Sequence, residues 1–412
     1  MFALSPSPTV LAASTVTTVG AVIVAIIGIG LVLYLVSNLR AGRDEIGSEI
    51  ELAPNRKPYL SDDELETTKL NKTLRWALVL LVIVAVGLPA YWLSEPGRQS
   101  GAIDMFQSTF ESRGEELFVE GSQCANCHGP EAVGGTAPYT VLDGEGKFIA
   151  SVNWRAPALD TVLLRYTREE VEYVINYGRP FSPMPGWGAS VNKGPLNEQQ
   201  VQNLVDYLAS IQKSPEDAQR EGQIELATEL GLLEDGEDDE DVIDAALKQI
   251  DYNDPVTGKT LFNLGKETGF AGGAYACARC HTRGWSIVTE GEDAVDPPDA
   301  DLSSVAGFPD GSGALGPNLT GGLLIPRQFA GYEELVAFIS TGSARGEGYG
   351  RNGIGSGTMP GFGDNPNTEE TEGDGMLTPE MLEAIARYEA TLPAADATTN
   401  QPPPATTTDG EG

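Results

Sequence analysis

Apolar and polar positions along this chain change their spacing twice. Val19 to Val36 is continuously apolar and uncharged, and Trp76 to Leu93 is a second such run. With its flanks each reaches about 20 residues, the length of a helix that crosses a bilayer. Spans are therefore expected over about 17–38 and 74–93, with Pro89 tolerated near the end of the second. Beyond about residue 105 the runs shorten and the apolar positions fall three to four apart. Val171, Val174 and Ile175 before Gly178 form one such stripe, and Leu335, Phe338 and Ile339 before Gly342 form another. Each predicts an amphipathic helix with a glycine C-cap.

Two later stripes also correspond. Leu196, Val201, Leu204 and Tyr207 answer Leu377, Leu382, Ile385 and Tyr388. Asn197 and Thr378 are the expected N-caps, with Pro379 in the first turn. Thr167 and Glu170 have capping-box spacing. Short helices are expected around Glu115–Val119 and Lys259–Leu264. The soluble region thus repeats one plan of small helical units, each with little apolar core for its size.

Charge decides how the spans sit. Residues 1–18 lack the basic n-region of a cleaved signal peptide, so an uncleaved span is expected. Seven basic residues between Arg40 and Arg75 place that loop in the cytoplasm by the positive-inside rule, with both ends outside. From residue 95 onward there are 52 acidic and 19 basic residues, nearly all of the net charge of −34. A field of that sign repels phosphate backbones and excludes nucleic-acid binding.

The chemistry lies in six side chains. All four cysteines and both histidines of the chain fall in Cys124-Ala125-Asn126-Cys127-His128 and Cys277-Ala278-Arg279-Cys280-His281. Cys-x-x-Cys-His is the attachment signature of c-type haem: two thiols bond to the porphyrin and the imidazole becomes an iron ligand. A zinc site would have to join thiol pairs 153 residues apart with no further histidine. A thioredoxin-like pair requires no histidine after each motif.

The second axial ligand must come from elsewhere. Of six methionines, only Met184 and Met359 occupy equivalent places, each before Pro-Gly-aromatic and between the same two helices. They are the expected thioether ligands, giving the His/Met pattern of electron-carrying haems with both axial positions filled. Pro157 and Pro317 have two readings: carbonyl acceptors for the imidazole N–H, or simple turn prolines. Trp154, Arg155, Arg179 and Trp187 likewise either bond haem propionates or only wall the crevice.

These motifs, with Gly316-Pro317-Asn318-Leu319 and the closing helices, make each unit resemble a class I cytochrome c domain. The first unit carries Ala156-Pro157 in place of Gly-Pro. The second separates histidine from methionine by 78 residues against 56 in the first. The implied architecture is mainly α: two N-terminal transmembrane helices followed by two class I cytochrome c-like helical domains. Its parts are an anchor at 1–94 with a cytoplasmic loop at 40–75, cytochrome units at 105–213 and 255–393, an acidic linker at 214–254, and a disordered tail at 394–412.

The whole resembles the cytochrome cc subunit of bacterial bc-type complexes or the dihaem subunit of cbb-type oxidases. That resemblance implies two covalently bound haem c groups and respiratory electron transfer from a quinol-oxidising complex toward a terminal oxidase. It also implies a multi-pass place in the bacterial cell membrane, with the haem domains on its extracytoplasmic face. The implied partners are cytochrome b, Rieske-type or haem-copper oxidase subunits and the lipid bilayer. The reading is of an electron-transfer protein or complex subunit, and not a stand-alone enzyme; a dihaem peroxidase would need one open iron. The acidic run Glu234–Asp241 reads either as a docking strip or as a solvated spacer or short helix.

Overall fold

The computed structural model describes residues 15–43, 61–142, 145–179, 182–288, 305–343, 359–368 and 373–393. Residues 44–60 of the loop at 40–75 and all of the tail at 394–412 lie outside them. The chain divides into two units, Met1–Gly97 and Arg98–Gly412.

The first unit contains α1 (Thr15–Arg43) and the beginning of α2 (Leu70–Glu116). Among the described residues one helix, running Glu64–Gly121, is long and apolar enough to cross a membrane, and Ala25–Ser37 forms a shorter apolar helix. Ile26, Leu33, Leu78 and Leu81 are all exposed among the described residues. The sequence predicts a separate short helix near Glu115, but α2 reaches Glu116 unbroken. Residues 98–113 contain no proline, and Pro96 is accommodated inside the helix.

The second unit continues with α3 (Ala125–His128), β1 (Gly135–Leu142), β2 (Phe148–Ala156), α4 (Arg168–Tyr177), α5 (Ala189–Asn192) and α6 (Glu198–Ser210). Then come α7 (Pro215–Glu229), α8 (Glu240–Leu247), α9 (Pro255–Phe262), α10 (Ala278–His281), β3 (Ile287–Val288), α11 (Tyr332–Thr341) and α12 (Pro379–Thr391). Local chemistry sets the helix starts. Thr167 and Asn197 make full capping boxes with Glu170 and Gln200. Ser214, Asp254 and Thr378 cap helices that carry proline in the first turn.

Two lobes repeat the same crossing. In the first, Gly114 on α2 lies against the backbone of Asn203 and the Cβ of Tyr207 on α6, and Phe118 packs on Tyr207 with ring centroids 5.4 Å apart. In the second, Gly258 on α9 lies against Ala384 and Tyr388 on α12, and Phe262 meets Tyr388 at the same 5.4 Å. A Cβ on either glycine would collide with backbone, so glycine sets the close approach. Val171, Ile175, Val201 and Leu204 form the first core. Leu261, Leu335, Ile339, Leu382 and Ile385 belong to the second.

Two features differ from the sequence-based expectation. Between the first motif and Pro157 lies a β-hairpin, β1 pairing antiparallel with β2 (Tyr139 opposite Val152), to which β3 adds a third strand (Trp154 opposite Ile287). The mainly helical reading holds, yet this sheet joins the lobes. The acidic connector is no bare spacer. Ala218, Leu226 and Ala227 on α7, with Ile243 and Ala246 on α8, are buried in the second lobe's core. Asp239 of the acidic run caps α8, where Glu240 and Asp241 face the helix dipole. Arg220 pairs with Glu240, and with Asp244 at 2.9 Å.

Candidate functional site

Each Cys-x-x-Cys-His segment closes one helical turn. The His128 amide donates to the Cys124 carbonyl at 2.9 Å, and His281 does the same to Cys277 at 3.0 Å. This winds both cysteines and the histidine onto a single turn. The His128 Nδ1 lies 2.8 Å from the Pro157 carbonyl, and the His281 Nδ1 lies 2.9 Å from that of Pro317. Since a carbonyl only accepts, Nδ1 carries the proton and Nε2 keeps its lone pair. Burial holds both imidazoles below their ordinary pKa, opposed by these same bonds, so they are neutral at pH 7. A neutral ring with a free Nε2 is the form that ligates a metal.

The two lobes present their methionines through one clasp. Just past the C-cap glycine of α4, the Arg179 amide donates to the Met184 carbonyl at 3.0 Å; past that of α11, the Ser343 amide donates to Met359 at 2.9 Å. A serine hydroxyl accepts from each methionine amide, Ser182 at 3.3 Å and Ser343 at 3.0 Å. Gly178 and Gly342 have φ of 73° and 72°, and their Cα atoms sit against the Met-Pro-Gly backbone, leaving no room for a side chain. Trp187 and Phe362 then bond back to Ile175 and Ile339 at 2.9 and 3.0 Å. Residues 344–358 of the second lobe, between Ser343 and Met359, lie outside the described residues.

In the first lobe these parts share a cleft of about 1140 Å³, its mouth included. Cys124, Cys127, His128, Pro157 and Met184 all line it. Its walls are apolar: Leu159, Val162, Val171, Ile175 and Leu208. In the second lobe His281 is 7% exposed. Gly316 lies so close to its ring that an added Cβ would be 2.7 Å from Cε1. Met359 packs on that lobe's core.

The alternatives to haem find no support in the thiols. Burial pushes Cys124 up to about 11 and raises Cys127 and Cys277, so all three are protonated at neutral pH and unlike a reactive redox thiolate. Among the described residues no three His, Cys, Asp or Glu side chains converge as a metal site.

The cleft also holds residues that sequence reasoning missed. Arg165 is 6% exposed and lines the cleft beside Arg155, Arg179 and Arg279. Among the described residues, the buried Nε atoms of Arg165 and Arg279 have no hydrogen-bond partner, and no carboxylate lines the cleft. Buried cations without anions are costly, and a haem brings two carboxylates, so the donor set fits that group. Arg155, one of the residues with two readings, donates to the Gly265 and Lys266 carbonyls, each at 2.6 Å. Arg279 sits between the second pair of cysteines, so only the assembled fold could place it in the first cleft.

Residues 111–212 match the family model of cytochrome c. Comparison with curated proteins and with solved structures gives no match. The chain therefore carries a cytochrome c domain at 111–212, with covalently bound haem c and haem-based electron transfer as its chemistry.

Proposed function

We propose that the chain is a membrane-anchored dihaem electron conduit, with one haem c held at Cys124, Cys127 and His128 and a second at Cys277, Cys280 and His281. The observation that carries this reading is the duplicated pair of bonds: imidazole Nδ1 to a proline carbonyl at 2.8 and 2.9 Å, and a clasp closed on the methionine carbonyl at 3.0 and 2.9 Å. A second lobe that binds nothing has no need of a proton-fixed histidine and a presented thioether. The spans at 17–38 and 74–93 hold the chain in the bacterial membrane with both lobes on its extracytoplasmic face. Electrons pass from a quinol-oxidising bc-type complex toward a terminal oxidase, or within a cbb-type oxidase as its dihaem subunit.

Bound haem c supplies one-electron exchange between ferrous and ferric iron. The protein's part is to hold and tune. The thiols fix the macrocycle in place. Pro157 and Pro317 orient the imidazoles and make them stronger donors. Met184 and Met359 would supply the thioether ligands, which would favour the ferrous state. The apolar walls keep water from the iron.

Haem-staining of denatured chain together with its intact mass tests the count: two covalent porphyrins per polypeptide are expected, and one alone would remove the second site. Met184→His and Met359→His should each abolish part of the near-infrared sulfur–iron band. Native protein with a high-spin haem and peroxide turnover would favour a peroxidase instead.

A further inference from the structure

We propose that Arg279, carried between the two cysteines of the second motif, binds the porphyrin carboxylates of the first crevice, so that the first site is completed by the second lobe. This rests on the reading of Cys124–His128 as a haem site. Its evidence is separate: the position of one guanidinium that the second lobe's own motif does not require.

Arg279 lies on α10, yet it lines the cleft that holds His128 and Met184, and Leu315 of the second lobe lines it too. Arg165 and Arg179 are near enough to repel it electrostatically. Three like charges gathered in one apolar cleft, two with buried and unpartnered Nε atoms, are tolerable only if an anion joins them. The porphyrin's two carboxylates are anions of the right kind, and guanidinium is the side chain best matched to planar carboxylate.

The placement is rigid. Arg155 ties the hairpin to the Gly265 and Lys266 carbonyls. The Ala158 amide donates to Ala271 at 2.8 Å, and the Asn367 amide group donates to the Leu163 and Tyr166 carbonyls at 2.7 and 2.9 Å. Arg165 in turn lies over the Phe362 ring of the second methionine loop, 5.9 Å from its centroid. The cationic cluster therefore sits between the two sites. A positive charge beside the first haem favours its ferrous state, so the first potential becomes a property of both lobes.

The test is spectroelectrochemical titration of the full chain in detergent. The component that Met184→His depresses identifies the first haem. Arg279→Gln should lower that component's midpoint while the sulfur–iron band persists, by roughly tenfold in the ferrous/ferric equilibrium, or about 59 mV for one electron. Arg279→Lys should restore most of the shift. The proposal is overturned if the first component stays put, if only the second moves, or if glutamine and lysine act alike. A wild-type chain with no haem stain at the first motif would overturn the underlying reading, before any arginine variant is made.

Discussion

At the residue scale, the two imidazoles are held in different surroundings although their proline bonds are alike. Gly316 gives His281 its room: an added Cβ would lie 2.7, 2.9 and 3.0 Å from three ring atoms. The first lobe has Ala156 at the matching position and still keeps the 2.8 Å bond to Pro157. Gly316→Ala should therefore displace the buried His281 ring, costing about 1–3 kcal/mol in urea unfolding and lowering the yield of the second haem. Ala156→Gly should leave the haem count unchanged. Glu389 on α12 gives the pH dependence. It is 5% exposed, and burial pushes its carboxyl up to about 8 from an ordinary value of 4.5. Between those values the folded chain binds more protons than the unfolded one, so stability falls as pH rises. The contribution is fully present below 4.5 and is lost as pH passes 8. Glu389→Gln should match wild type near pH 4 and exceed it at pH 8 by on the order of 4 kcal/mol. A gap independent of pH would remove Glu389 as the titrating group.

Elements show what a sequence reveals and where it goes silent. The capping residues Thr167, Asn197 and Thr378 were legible because a cap is chemistry between residues three apart. So were the motifs and the matched stripes, whose periods are local. The hairpin was legible in principle: Tyr139, Thr140 and Val141 precede a Gly-rich stretch, with Ile149 and Val152 after it. The expectation of a mainly helical unit hid that signal. The burial of α7 was not legible, since its acidic surface dominates the composition while four small or apolar residues carry the packing: Ala218, Gly222, Leu226 and Ala227. Nor were Gly114 and Gly258, whose need for glycine exists only once two helices cross. Gly258→Ala should drive α9 away from Ala384 and Tyr388 and separate the Phe262–Tyr388 pair. A loss of about 1–3 kcal/mol is expected, read by denaturant titration. Thr167→Ala, which breaks only a cap, should cost about 1 kcal/mol. If the two variants cost the same, the helix crossing is not the tighter constraint.

For the soluble region as a whole, the question is whether its lobes behave as one body. Ala158 and Leu164 of the first lobe are buried in the second lobe's core, and polar contacts add to that apolar joint. β3 extends the first lobe's hairpin, and Lys213 bridges Asp160 at 2.9 Å and Glu221 on α7 at 2.6 Å. Arg155, 9% exposed, donates to two carbonyls of the second lobe and lies 5.6 Å from the Trp285 ring centroid. Its loss leaves the Gly265 carbonyl with the Gly269 amide alone and takes the Arg155 donor from the part-buried Lys266 carbonyl, at about 1–3 kcal/mol in all. Two amides report on the joint: Ala158 donates across the lobes to Ala271, and residue 155 donates to Ser286, both at 2.8 Å. The Val171 amide, bonded to Thr167 at 3.0 Å within α4, reports on the first lobe alone. In Arg155→Ala, hydrogen exchange at Ala158 and at residue 155 should accelerate while Val171 keeps its protection, because the joint opens before either lobe unfolds. Equal acceleration at all three would mean that the lobes unfold together. No change at Ala158 would mean that the sheet, and not Arg155, holds them. Opening that joint also withdraws Arg279 from the first cleft, so the same variant should lower the first haem's potential in the direction of Arg279→Gln.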